Sequence, residues 1–209
     1  MPRAGANEKV RRMPMTSRER MLTALDNGRP DRLPCQVHGW MPYYLQHYLG
    51  GMDAWQAYER FGMDFAIYVS PAFYRTFGLP YDRRQNALFR ELGLKVVNHF
   101  CGGLMPMLDL VVESGADGLE TMTPPSMGGD CDLAESSRRV GGQLFFIGGF
   151  DQKTGFERGT PETARRLVRE CFEATKEHAG YILCPSDHFF HGDPACLQAF
   201  ADEAKACRY

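Results

Sequence analysis

The sequence contains no apolar run long enough to span a lipid bilayer, and its first residues lack the apolar core of a secretory signal peptide. It also has little net charge, since its 24 lysine and arginine residues nearly balance its 26 aspartate and glutamate residues. These absences argue against a membrane protein, an exported protein and a nucleic-acid-binding protein. We therefore expect a cytoplasmic protein with no membrane or nucleic-acid partner.

The seven cysteines are an odd number, so the sequence also lacks the pattern of a disulfide framework. Its 209 residues, 44% hydrophobic and 24% charged, are ordinary for one globular domain. Residues 1–15 are polar and have no apolar periodicity. We expect a mobile N-terminal tail over residues 1–15 and a single domain over residues 16–209.

Apolar runs typical of strands alternate with helical patterns along most of the chain, which favours a parallel sheet or barrel. Thr16 with Glu19 forms a capping-box pattern, and Thr160 followed by Pro161 predicts another helix start. A helical stretch rich in aromatic residues is expected over residues 43–61, and a turn over residues 148–151. The predicted strands are residues 33–38, 62–69, 94–99, 118–122, 144–147 and 181–184.

Four residues with metal-binding side chains lie at or just after the ends of three predicted strands: His99, Cys101, Glu120 and Cys184. Because parallel strands end on one face of such a fold, we expect these side chains to come together. An imidazole, two thiols and a carboxylate suit zinc, and a displaceable carboxylate leaves a position open for chemistry. The alternative is that these are ordinary packed or hydrogen-bonded residues.

Other polar residues follow the later strands. Asp151 and Asp187 are candidates to orient a substrate, and His188 or His191 could transfer a proton. Each of them could equally be a loop residue with its hydrogen bonds satisfied locally.

Several motifs resemble the uroporphyrinogen decarboxylase-like superfamily. Residues 93–103 (GLKVVNHFCGG) are similar to its His-x-Cys-Gly strand, and residues 147–151 (IGGFD) to its Gly-Gly-x-Asp turn. Residues 16–34 resemble its N-terminal entry, while residues 159–162 (GTPE) and 180–187 (GYILCPSD) resemble later landmarks. The resemblance implies a TIM (β/α)8-barrel-like fold.

The superfamily has two chemically different branches. The decarboxylases hold their tetrapyrrole with an arginine-containing motif after the first strand, where this chain has residues 35–41 (CQVHGWM). The zinc methyltransferases move a methyl group from a corrinoid protein or similar donor to a thiol or folate, and their ligand positions correspond to His99, Cys101, Glu120 and Cys184. The resemblance therefore implies a zinc-dependent methyltransferase, with Zn²⁺ as cofactor, possible corrinoid-protein partnership, and Glu120, Asp151, Asp187 and His188 as candidate catalytic residues.

The chain is short for this superfamily, because the middle strands of the barrel have no counterpart around residues 69–70. An incomplete barrel of about six parallel strands is expected, since complete barrels of this type have eight. Aromatic residues cluster near that point, so a homodimer that covers them, or a poorly soluble chain, is expected rather than a stable monomer. Two other functions stay open: decarboxylation of a tetrapyrrole, and a non-catalytic role as a partner subunit or an inactive shortened variant.

Overall fold

The computed structural model describes residues 14–37, 39–40, 42–65, 70–178 and 180–209. Contacts between Cα atoms divide the chain into two units, residues 1–68 and 69–209, and each is described by itself. The helices are α1 (Ser17–Leu25), α2 (Pro42–Tyr48), α3 (Ala54–Phe61), α4 (Pro71–Phe73), α5 (Leu79–Glu91), α6 (Leu108–Ser114), α7 (Leu133–Val140), α8 (Pro161–Thr175) and α9 (Pro194–Ala206). The strands are β1 (Val97–His99), β2 (Gly118–Thr121), β3 (Phe145–Phe150) and β4 (Tyr181–Pro185).

The first unit contains α1, α2 and α3. The capping box predicted for α1 is confirmed, because the Thr16 side chain accepts from the Glu19 amide and the Glu19 carboxylate accepts from the Thr16 amide. The helical stretch predicted over residues 43–61 is confirmed, and it consists of two helices, α2 and α3. Gly50 and Gly51 between them adopt left-handed conformations that end α2.

A cluster of ion pairs around the buried Asp64 links α1 to the segments that follow α1 and α3. The guanidinium of Arg20 donates to Asp31 at 2.7 Å and to Asp64 at 2.5 Å, and Arg32 donates to Asp64 at 3.0 Å. Asp64 is fully buried, so its charge is stabilised by these two arginines and by the Cys35 amide, which donates to it at 3.0 Å.

The strand predicted over residues 33–38 is wrong where it can be checked. Residues 33–37 form no strand, since the Cys35 amide bonds to the Asp64 carboxylate; His38 lies outside the described residues. The strand predicted over residues 62–69 is absent from residues 62–65, where a left-handed Gly62 ends α3. Residues 66–69 lie outside the described residues, so the part of the chain that the structure describes contains four strands rather than six.

The second unit is an α/β layer built on a parallel sheet in the order β1-β2-β3-β4. Successive neighbours with helices between them are typical of part of a TIM (β/α)8 barrel. The strands predicted near residues 94–99, 118–122 and 181–184 are confirmed, as is the helix start at Thr160. The turn predicted at residues 148–151 is wrong at its start, because β3 continues to Phe150 and pairs with β4 up to Pro185.

The two faces of the sheet differ. Leu119 and Phe146 are fully buried in a core with α6, while Phe150 is fully buried in a second core with α8 and α9. Tyr181 packs against both cores. The opposite face carries a row in register across the four strands, and its members are exposed or half-buried: His99, Glu120, Ile147 and Ile182.

The helices of the described residues also show whether any of them could cross a membrane. None of them combines the length and the apolar composition that a bilayer span requires.

Candidate functional site

The candidate site begins with a pair of residues at the carboxyl ends of β1 and β2. His99 and Glu120 are direct partners in the parallel register, so the ladder itself places them side by side. The Nδ1 atom of His99 lies 2.9 Å from Oε1 of Glu120. Their side chains are 57% and 42% exposed, so a solute can reach both. The structure thus brings together two of the four residues that the sequence places at strand ends.

Cys101 completes a contiguous group of three side chains. It follows β1 by two residues, and its Sγ atom lies 2.9 Å from Nε2 of His99. The thiol is exposed. The His99 imidazole therefore lies between a carboxylate and a thiol, with one ring nitrogen directed at each.

Cys184 comes from the other edge of the sheet. It lies in β4, paired with Gly149 of β3, and its side chain is half-buried. Burial raises the pKa of the Cys184 thiol, and the negative charge of Glu120 raises it further. Cys184 is therefore near enough to Glu120 to respond to its charge, which relates this fourth residue to the group around His99.

The donor types of these four residues fit zinc: one imidazole, two thiols and one carboxylate, all at or just after the ends of strands. In the described conformation the His99 imidazole is hydrogen-bonded to Glu120 and to Cys101 instead. Within the described ranges, no three histidine, cysteine, aspartate or glutamate side chains are grouped so that they could hold a metal ion together. The four residues therefore fit a zinc site by the type of their donor atoms and by their positions along the strands.

Asp151 immediately follows β3 and is only 7% exposed. Its carboxylate accepts from the Thr154 amide at 2.9 Å and from the Thr154 hydroxyl at 2.8 Å. Burial by itself raises the pKa of Asp151, but these hydrogen bonds and one from Ser126 lower it below the usual range. The lowered pKa favours the ionised form of the carboxylate. Asp151 also lines a cavity of about 280 Å³ together with Cys131 and Cys171.

Asp187 and His188 lie on the exposed loop after β4. The Asp187 carboxylate accepts from the His188 amide at 2.7 Å, and the His188 carbonyl accepts from the Gln152 side chain at 3.3 Å. His191 is also exposed. Among the hydrogen bonds and ion pairs of the described residues, none joins Asp151, Asp187 or His188 to His99.

One residue of the site has no signal in the sequence. Thr121 ends β2 in a left-handed conformation, with φ of 68°, and Met122 follows with φ of 48°. Such a conformation is an outlier for a β-branched residue and costs about 1–3 kcal/mol. Its register partner on β3 is Gly148, where a Cβ atom would lie 2.1 Å from the Thr121 carbonyl oxygen.

Comparison with known proteins places the chain in one family. The family model described as uroporphyrinogen decarboxylase (URO-D) matches residues 49–206, about three quarters of the chain. The matched part includes all four described strands and every candidate site residue. No curated protein sequence matches the chain.

Proposed function

The chain belongs to the uroporphyrinogen decarboxylase (URO-D) family, and from that premise we propose that it is a zinc-dependent methyltransferase. It would move a methyl group from a corrinoid carried by a partner protein, or a similar donor, to a thiol or folate. The observation that carries the proposal is the contact of His99 with both Cys101 and Glu120 at the ends of adjacent strands. Such a set of soft and borderline donors suits zinc and thiol chemistry.

His99, Cys101 and Cys184 would hold the zinc, with Glu120 as the displaceable fourth ligand. A bound zinc would supply the positive charge that keeps an acceptor thiol ionised at neutral pH. The exposed Glu120 carboxylate is suited to take the proton that the acceptor loses. The acceptor sulfur then forms a bond to the methyl carbon, while the bond from that carbon to the donor breaks and leaves its electron pair on the donor.

Asp151, Asp187 and His188 would act around this centre rather than in it. Asp151 provides a fixed negative charge at the end of β3, which would orient a substrate carrying a cationic or hydrogen-bond-donating group. Asp187 and His188 are exposed on the loop after β4, where they could contact a substrate or transfer a proton.

The decarboxylase alternative draws no support from the site, because a highly acidic substrate needs arginines around it. The described group at the strand ends consists of an imidazole, thiols and a carboxylate. The Glu120 carboxylate there would repel the acidic side chains of a tetrapyrrole, and uncharged thiols would not hold them.

Zinc content and turnover test the proposal together. Purified wild-type protein should retain about one zinc per chain. Cys101→Ser and Cys184→Ser should lose most of it, whereas Cys35→Ser, at an exposed thiol of the first unit, should retain it. Background zinc in the wild type would refute the metal site.

The wild-type protein should also move the methyl group of methylcobalamin to homocysteine or 2-mercaptoethanol. Zinc binding without any transfer would favour the non-catalytic alternative. Decarboxylation of uroporphyrinogen without zinc would favour the other branch.

The homodimer expected from the exposed aromatics is likewise a proposal. Phe61 is 46% exposed, and Phe73 and Phe77 are 52% and 58% exposed. Of the other members, Phe65 and Tyr74 are half-buried and Tyr68 lies outside the described residues. Sedimentation at micromolar concentration should give a dimer mass, and a monodisperse monomer would refute this expectation.

A further inference from the structure

A single residue, Phe100, connects His99 to Cys101, and its backbone is bound to the end of β2 on both sides. The Phe100 amide donates to the Glu120 carbonyl at 3.3 Å. The Phe100 carbonyl accepts from the Thr121 hydroxyl at 2.5 Å. The peptide groups between the imidazole and the thiol are therefore fixed to the same strand end that carries Glu120.

The Thr121 hydroxyl is itself held in place. It accepts a hydrogen bond from the Thr123 hydroxyl at 3.1 Å, so the two hydroxyls form a chain that ends at the Phe100 carbonyl. The Thr123 side chain is buried. Because Thr121 adopts its left-handed conformation where Gly148 allows a close approach, the neighbouring strand also takes part in placing this hydroxyl.

We propose that Thr121 is a positioning residue, whose hydroxyl sets the spacing between the His99 imidazole and the Cys101 thiol. The inference rests on the proposed function for its zinc-binding consequence, but the positioning itself is a property of the metal-free chain. Residues that orient metal ligands without touching the metal commonly change metal affinity by about 10–100-fold when they are replaced.

The test compares three variants with the wild type. Thr121→Val removes the hydroxyl and keeps the shape, and Thr121→Ser keeps the hydroxyl. Thr76→Val is the matched control, because it removes a hydroxyl that donates to the Ala72 carbonyl at 3.0 Å, on an exposed helical turn. Zinc affinity is measured by competition with a chelator. Hydrogen exchange of the Phe100 and Cys101 amides is measured in metal-free protein.

Thr121→Val should weaken zinc binding by about tenfold or more and speed exchange of the Phe100 amide several-fold. Thr121→Ser and Thr76→Val should stay close to wild type in both measurements. Unchanged zinc affinity and exchange in Thr121→Val would overturn the inference, as would a Thr121→Ser variant that behaves like Thr121→Val.

Failure of the proposed function has a different signature. If wild-type protein binds no zinc, the exchange measurement still decides whether Thr121 positions Phe100 and Cys101. Faster exchange in Thr121→Val alone would then support the positioning role, and equal exchange in all variants would refute it.

Discussion

The Nδ1 atom of His99 lies 2.9 Å from Oε1 of Glu120, and the two residues are register partners on adjacent parallel strands. Their contact is therefore set by the strand ladder. A ligand pair placed in this way depends on the pairing of β1 with β2, so it is present before any metal or substrate binds. This relationship makes Glu120 the most direct residue for testing the site.

Glu120→Gln keeps the size of the side chain but removes its charge. We expect zinc affinity to fall by about 10–100-fold, because the variant loses both a candidate ligand and the carboxylate that orients His99. Competition with a chelator measures the change. Glu170→Gln, at a surface residue paired with Arg166 on α8, is the control and should bind zinc like the wild type. Equal affinities in the two variants would show that Glu120 has no part in the site.

The cysteines should react with alkylating agents in a defined order. Cys35 and Cys101 are exposed, whereas burial raises the pKa of both Cys131 and Cys171 to about 11. Brief treatment with iodoacetamide at pH 8 should label the exposed pair and leave the buried pair unlabelled until urea is added. Peptide mass spectrometry measures each position. Added zinc should slow labelling of Cys101 and leave Cys35 unaffected, so equal protection of both would argue against zinc at Cys101.

The stability of the first unit should fall in acid. A hydrogen bond from Arg20 holds the pKa of Asp31 at about 2, against an ordinary value of 3.8. Because the pKa is lower in the folded chain, the stabilisation is complete above about pH 4 and is lost as the pH falls towards 2. Both tryptophans, Trp40 and Trp55, lie in this unit, so their fluorescence follows its unfolding.

The matching variant is Asp31→Asn, which should be less stable at neutral pH and should show a weaker dependence on pH over that window. Asp26→Asn, at an exposed carboxylate next to the end of α1, is the control and should follow the wild type. A wild-type profile in Asp31→Asn would mean that the Arg20 contact contributes nothing to the acid transition.

Gly148→Ala should destabilise the second unit by about 1–3 kcal/mol, because a Cβ atom there would overlap the Thr121 carbonyl oxygen. Gly142→Ala is a matched control, since a Cβ atom at Gly142 meets no other atom within 4 Å. Urea denaturation measures both. Equal midpoints for the two variants would contradict the close approach of β2 and β3 at this point.

The sequence allowed the central part of the sheet and the pairing of His99 with Glu120 to be predicted, because both depend on local apolar runs that end at identifiable residues. The break at Gly50 and Gly51 was missed, since aromatic residues on both sides continue a helical pattern. The extent of β3 was missed because Gly148 and Gly149 are typical of a turn. In the structure both glycines pair with β4, and Gly148 leaves room for the Thr121 carbonyl.

The conformation of Thr121 could not have been predicted, because a β-branched residue after a strand favours extended backbone. The hydrogen-bond partners of His99 could not be predicted from the sequence either. A His-x-Cys pair has the same spacing whether its ring nitrogens face a carboxylate and a thiol or converge with them on an ion.

The buried cores and the candidate site lie on opposite faces of one sheet, which has a practical consequence. Leu119 and Phe146 stabilise the second unit from the helical face, whereas Glu120 and Ile147, their chain neighbours, lie on the other face. Residues on the site face of a strand can therefore be substituted to change the chemistry of the site. Their neighbours on the core face keep the unit folded. In protein engineering, each strand of this sheet therefore offers two nearly independent sets of residues. One set faces the candidate site and can be changed to alter reactivity, and the other faces the core and maintains stability.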